Sequence, residues 1–139
     1  MTGADALYDQ TIKTLAASPA PPQPDRIDAT ARADNPLCGD RATVTVQVED
    51  DKVASVSHQI RGCLLCRASA SLLANSVPGL RIEDAKNLAQ SVKDYLAGTE
   101  LPPTGGWEAF LPLRSHPARH TCALLPLQAL RQALTAGKF

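Results

Sequence analysis

The 139 residues suit one small domain, 1–139, and a hydrophobic share of 44% is enough for a packed core; with aromatics at only 4%, that core is expected to be aliphatic. Basic and acidic side chains number 14 each, so the basic excess that nucleic-acid binding leaves in a composition is missing. There is no apolar run of membrane-spanning length, and the first seven residues lack a basic stretch followed by an apolar one, so the expectation is a cytoplasmic protein with reduced cysteines and neither nucleic acid nor membrane as partner.

Leu7, Ile12 and Leu15 predict a short helix over residues 8–15. Four prolines between residues 16 and 24 make an irregular linker. Residues 26–33 are read as an edge strand. Residues 42–48 alternate, Val44, Val46 and Val48 against Thr43, Thr45 and Gln47, as a half-buried strand does. After the polar turn Glu49-Asp50-Asp51-Lys52, residues 53–60 return as its hairpin partner, with Ala54, Val56, His58 and Ile60 on one face. Gly62 breaks the strand, residues 64–77 form a helix, and Pro78-Gly79 stops it. A second helix covers 82–96, with Asp84, Asn87 and Lys93 on its wet side and Gly98 as its stop. A loop with two prolines leads to a helical turn over 107–113. The last helix covers 121–136 on a stripe of Leu124, Leu127, Leu130 and Leu134, with Pro126 in its first turn or so. Helix, strands, then helices predict an α+β fold: a three-stranded antiparallel sheet covered by helices.

The chemistry lies in four cysteines at three places. Cys38 and Asp40 flank Gly39, and a turn at that glycine lets both side chains converge on one point. Cys63 follows Gly62 and opens a helix, where unsatisfied N–H groups and the helix dipole favour a thiolate. Cys122 opens the last helix, with Arg119 three residues earlier adding positive charge. Three sulfurs and one carboxylate are a sufficient tetrahedral set for zinc, and thiolates also bind iron. Taken singly, each cysteine fits a small buried hydrophobe as well as a ligand; their placement at loop boundaries favours one shared site. Cys66, one turn into an apolar helix, reads first as packing, and Cys66 and His120 are spare candidate ligands. His58 is expected at the core or its rim, and His116 on the surface. Cys63 and Cys66 also match a C-x-x-C redox pair, but the βαβ context of that motif is missing.

Several segments resemble the U-type iron–sulfur cluster assembly scaffold family, which includes IscU, SufU and the N-terminal domain of NifU. Asn35-Pro36-Leu37-Cys38-Gly39-Asp40 is similar to the family's N-P-x-C-G-D. Gly62-Cys63 followed by Ala68-Ser69-Ala70-Ser71 is similar to its helix start. Pro117-Ala118-Arg119 with Cys122-Ala123-Leu124-Leu125 resembles the SufU branch most. The resemblance implies a metal or cluster site at Cys38, Asp40, Cys63 and Cys122. In SufU-like members that site holds zinc and accepts persulfide sulfur; in IscU-like members it builds a [2Fe–2S] cluster. The implied partners are a SufS-like or IscS-like cysteine desulfurase and downstream iron–sulfur acceptor proteins. The protein is then a non-enzymatic scaffold or a zinc-dependent sulfur-transfer protein, with Cys38 as sulfur acceptor and Arg119 in support. Three departures stand out. Thr121 replaces the His that precedes the third cysteine in IscU-like members. Leu101-Pro102-Pro103 lies far upstream of Cys122 and is followed by Thr104-Gly105-Gly106. The proline linker replaces the N-P-R-N segment after the first helix.

Overall fold

The computed structural model describes residues 10–37, 39–99 and 101–137. In chain order these form α1 (Gln10–Ala17), β1 (Ala29–Asn35), β2 (Asp40–Glu49), β3 (Lys52–Arg61), α2 (Leu64–Ser76) and α3 (Ile82–Ala97). Two 3-10 segments, Trp107–Ser115 and Pro117–Arg119, then lead into α4 (His120–Ala136). The strands form an antiparallel meander in the order β1-β2-β3. The expected α+β fold is therefore the one observed. The part of the first expected helix before residue 10 lies outside the described residues.

The period of two in β2 extends past the valines. Asp40, Ala42, Val44, Val46 and Val48 share the face that meets the helices. α4 is the central helix, packed against β1, β2, α2 and α3. Only a narrow strip of it, including Gln128 and Arg131, is exposed. Pro126 is not in its first turn: the helix begins at His120, so the proline sits buried in its interior and removes one ladder hydrogen bond. The opposite face of the sheet is sealed by polar pairs. Thr30 and Thr45 hydroxyls meet at 3.1 Å, and the buried Ser57 donates to Gln23 of the proline linker at 3.2 Å.

Three further features depart from the sequence reading. β1 begins later than expected and runs on to Asn35, which pairs with Asp40. In β3 the register slips where Gln47 faces Ser55 and Val48 faces Val53, so Ala54 is a bulge residue. The bulge turns Val53 and Val56 inward together and puts Ala54 in solvent, not on the Val56 face. Lastly, the core is anchored by aromatics as well as aliphatics. Trp107 and Phe110 are its largest fully buried side chains, with ring centroids 5.9 Å apart. The next turn is fastened to α3 by Arg114, which lies 4.3 Å over the Tyr95 ring and donates to the Tyr95 carbonyl at 2.8 Å.

His58 is half-buried on β3, and neither ring nitrogen has a hydrogen-bond partner. Burial pushes its pKa below the ordinary histidine value. The unfolded chain therefore binds a proton that the folded chain refuses, so stability falls as pH drops through about 6.5 towards the folded value. Urea midpoints compared at neutral and mildly acidic pH should fall less for His58→Gln than for the wild type. Equal losses in the two proteins would show that His58 is not responsible.

Candidate metal centre

The site is built at one end of the sheet, where three elements begin. The tip between β1 and β2 is folded by Asn35 and Gly39. Asn35 Oδ1 accepts the Leu37 N–H at 3.1 Å, and its carbonyl accepts the Gly39 N–H at 2.8 Å. Gly39 has φ 76°, a left-handed conformation that a side chain disfavours. The Asn35 amide also reaches the Thr121 hydroxyl at the head of α4, at a long 3.5 Å. Cys38 lies outside the described residues.

Asp40 follows as the first residue of β2, and strand alternation carries its carboxylate to the helix side. The residue is only 7% exposed, and Oδ2 is buried without a hydrogen-bond partner. Leaving such an oxygen unmatched is costly unless a cation or donor meets it. The carboxylate lies against the backbone of Gly62. A Cβ at that position would stand 2.9 Å from Asp40 Cγ and 3.1 Å from each oxygen. Gly62 thus does more than break β3: it leaves the space the carboxylate fills.

Cys63 is the N-cap of α2, with extended backbone angles (φ −73°, ψ 172°) and a half-buried side chain. Its sulfur stands beside the first turn of α2, whose N–H groups have no partner within the helix. Cys122 is in the first turn of α4 and is 5% exposed. The spacing between these two helices is set by the Ala68-Ser69-Ala70-Ser71 segment. Its alanines are fully buried and permit close approach. Ser69 donates to the carbonyl of Ala123 at 2.5 Å, next to Cys122, and Ser71 donates to the carbonyl of Leu15 in α1 at 2.5 Å. Sequence reasoning used this segment only as a family mark. A pair of buried serines in an otherwise apolar helix was the available signal, because each needs an acceptor outside its own turn.

One ligand atom from each of Asp40, Cys63 and Cys122 lies within 4.8 Å of the other two. Around a tetrahedral zinc ion, with Zn–S of about 2.3 Å and Zn–O of about 2.1 Å, donor separations are about 3.6–3.8 Å. Shifts of an ångström or less would close the three donors on one ion, so the residues fit the metal. Among the described residues, no other such group of His, Cys, Asp and Glu comes together. Cys66 is in the core at 0% exposure and is not in the group. His120 is also not in it; its Nε2 lies 2.7 Å from the Leu113 carbonyl. His116, expected on the surface, is half-buried, and its Nε2 has no hydrogen-bond partner.

Four arginines lie close in sequence to Asp40, Cys63 and Cys122. Arg41 and Arg61 face each other across β2 and β3, beside Asp40 and Gly62. Arg67 and Arg119 are exposed, four residues after Cys63 and three before Cys122 in sequence. Arg41 donates to Asp34 at 2.7 Å, and that hydrogen bond, together with the charges of Arg32 and Arg41, holds the Asp34 carboxyl below the ordinary carboxylate range.

The profile of the family described as NifU-like N terminal domain matches residues 19–136. The zinc-dependent sulfurtransferase SufU of Bacillus subtilis (strain 168) is 29% identical over 133 residues, which cover 94% of this chain and 90% of the relative. The iron-sulfur cluster assembly scaffold protein IscU of Streptococcus pyogenes serotype M1 is 30% identical over 115 residues, covering 81% of this chain and 72% of the relative. Among solved structures, a NifU-like protein (N-terminal) from Brucella abortus superposes with a TM-score of 0.86 at 26% identity, covering 96% of both chains.

Proposed function

Because the chain belongs to the NifU-like N-terminal domain family, we propose that it serves iron–sulfur cluster assembly by binding a metal ion and accepting sulfur from a cysteine desulfurase. The ligands in this reading are Cys38, Asp40, Cys63 and Cys122, with the whole chain, 1–139, acting as one domain. The observation that carries it is the convergence of Asp40, Cys63 and Cys122, together with the buried, unpartnered Oδ2 of Asp40. Zinc, when bound, supplies charge that keeps thiolates deprotonated at neutral pH.

The residues then divide the work. Cys38 is the accepting thiol: its sulfur attacks the outer sulfur of the desulfurase persulfide, a new S–S bond forms, and the desulfurase cysteine leaves as a thiolate. Arg119, exposed at the head of α4, steadies thiolate charge. Asp40 contributes a hard, exchangeable oxygen where a fourth sulfur would bind more permanently. The partners are a SufS-like or IscS-like desulfurase and downstream iron–sulfur acceptor proteins in the cytoplasm. Among the described residues, no helix is long and apolar enough to cross a membrane.

Zinc is favoured over a resident cluster by Thr121, which stands where IscU-like members carry histidine, and by similarity to SufU along 94% of the chain. A cluster-holding role is the second reading, favoured by the similarity to IscU. Metal analysis separates them. Colourless protein with about one zinc per chain, which forms no cluster on reconstitution with iron and sulfide, supports sulfur transfer; a brown [2Fe–2S] species supports scaffolding. Alanine at Cys38, Cys63 or Cys122 should abolish sulfur acceptance from the desulfurase, and full activity in any one of the three overturns the scheme.

A further inference from the structure

Cys66 is the one cysteine outside the proposed ligand set, yet it stands one helical turn from Cys63, which is in it. Cys63 is the N-cap of α2 and Cys66 is its third helical residue. These two positions lie side by side at a helix start: an N-cap side chain reaches the backbone of the third residue, and that residue's side chain reaches back. Helix geometry puts Cα atoms three residues apart at about 5–6 Å, within the span a disulfide bridges. The surroundings of the two differ. Cys63 is half-exposed at the mouth of the site, whereas Cys66 is in the core at 0% exposure.

We propose that Cys66 is a resolving thiol for Cys63, releasing as sulfide any sulfane sulfur that Cys63 carries. The step is Cys63–S–SH plus Cys66–SH giving the Cys63–Cys66 disulfide plus hydrogen sulfide. The bond between the inner and outer sulfur breaks, the bond between Cys66 and the inner sulfur forms, and the Cys66 proton leaves with the outer sulfur. Attack on a sulfur–sulfur bond is in line. Cys66 is in the core and Cys63 is only partly buried, so attack from the core side leaves solvent as the way out for the outer sulfur. The disulfide takes Cys63 out of the ligand set until a dithiol reduces it, so sulfur release and loosening of the metal site occur together. This rests on the reading of the site as a sulfur acceptor, with Cys63 able to receive the sulfur.

The test uses the full chain, freed of metal, loaded with inorganic polysulfide and desalted without reductant. Gly62–Arg67 is a single tryptic peptide holding both cysteines. In the wild type it should become two hydrogens lighter while about one equivalent of hydrogen sulfide appears. In both Cys66→Ser and Cys66→Ala the extra sulfur should stay on Cys63, with sulfide release slowed at least about tenfold. Release at the wild-type rate in a variant that retains native circular dichroism overturns the proposal, as does a disulfide joining Cys63 to Cys122. Oxidised glutathione gives a second readout, because it should also close the Cys63–Cys66 pair; a persistent mixed disulfide on Cys63 overturns the pairing. If the desulfurase delivers no sulfur while polysulfide-loaded chain still resolves, the acceptor reading fails and the role of Cys66 stands.

Discussion

Asp40→Ala is expected to stabilise the metal-free protein and to remove most of the stabilisation that zinc confers. The buried Oδ2 has no hydrogen-bond partner, and deleting such a group relieves about 1–3 kcal/mol of desolvation cost. In a domain of this size that corresponds to a rise of several degrees in melting temperature. Zinc at a thousand times its dissociation constant should add about 4 kcal/mol to the wild type and much less to the variant, which lacks one ligand. Melting curves of both proteins, with chelator and with zinc, give the four values needed. A metal-free variant less stable than metal-free wild type would mean that the carboxylate is satisfied in the folded chain and is not held in wait for a cation.

Gly62→Ala should lower metal affinity by about 10–100-fold, the usual cost of disturbing a group that positions a ligand. A methyl at Gly62 would stand 2.9 Å from Asp40 Cγ, so the carboxylate must move. The backbone at Gly62 is not in the left-handed region, which leaves this contact as the main source of any effect. The decisive measurement is therefore a coupling. In an Asp40→Ala background the same Gly62→Ala change should cost almost nothing further, because the clashing group is gone. Competition titrations with a zinc chelator on the two single variants and the double variant measure it. Additive losses would place the effect of Gly62 somewhere other than Asp40.

What could be read from sequence was what a local period carries. The Val44, Val46 and Val48 alternation was legible over residues 42–48; that the strand begins at Asp40, putting its side chain on the same inward face, is a finding of the structure. The glycine between Cys38 and Asp40 announced a turn, and the observed φ of Gly39 agrees. Features that depend on register or on contacts between distant segments were hidden. The bulge at Ala54 follows from how β2 and β3 slide, and no periodicity within residues 53–60 encodes it. Ser69 finds its acceptor fifty-four residues away, and the contact between Gly62 and Asp40 joins the end of β3 to the start of β2. Trp107 and Phe110 sit in a segment with no clear period, so composition alone undervalued them as anchors.

Asp40, Cys63 and Cys122 stand far apart in sequence, each at the start of a different element, and they meet only when β2, α2 and α4 are all docked. No pair of them is local, so bringing the set together carries the loop-closure cost of most of the chain, and that cost is met by sheet and helix packing before an ion can be held. Capture of an ion by the full set is then expected to follow docking of all three elements. A chain in which any one of these elements is undocked brings together at most two of these three residues. In the reduced protein, metal binding at the proposed centre is therefore expected to require the completed fold.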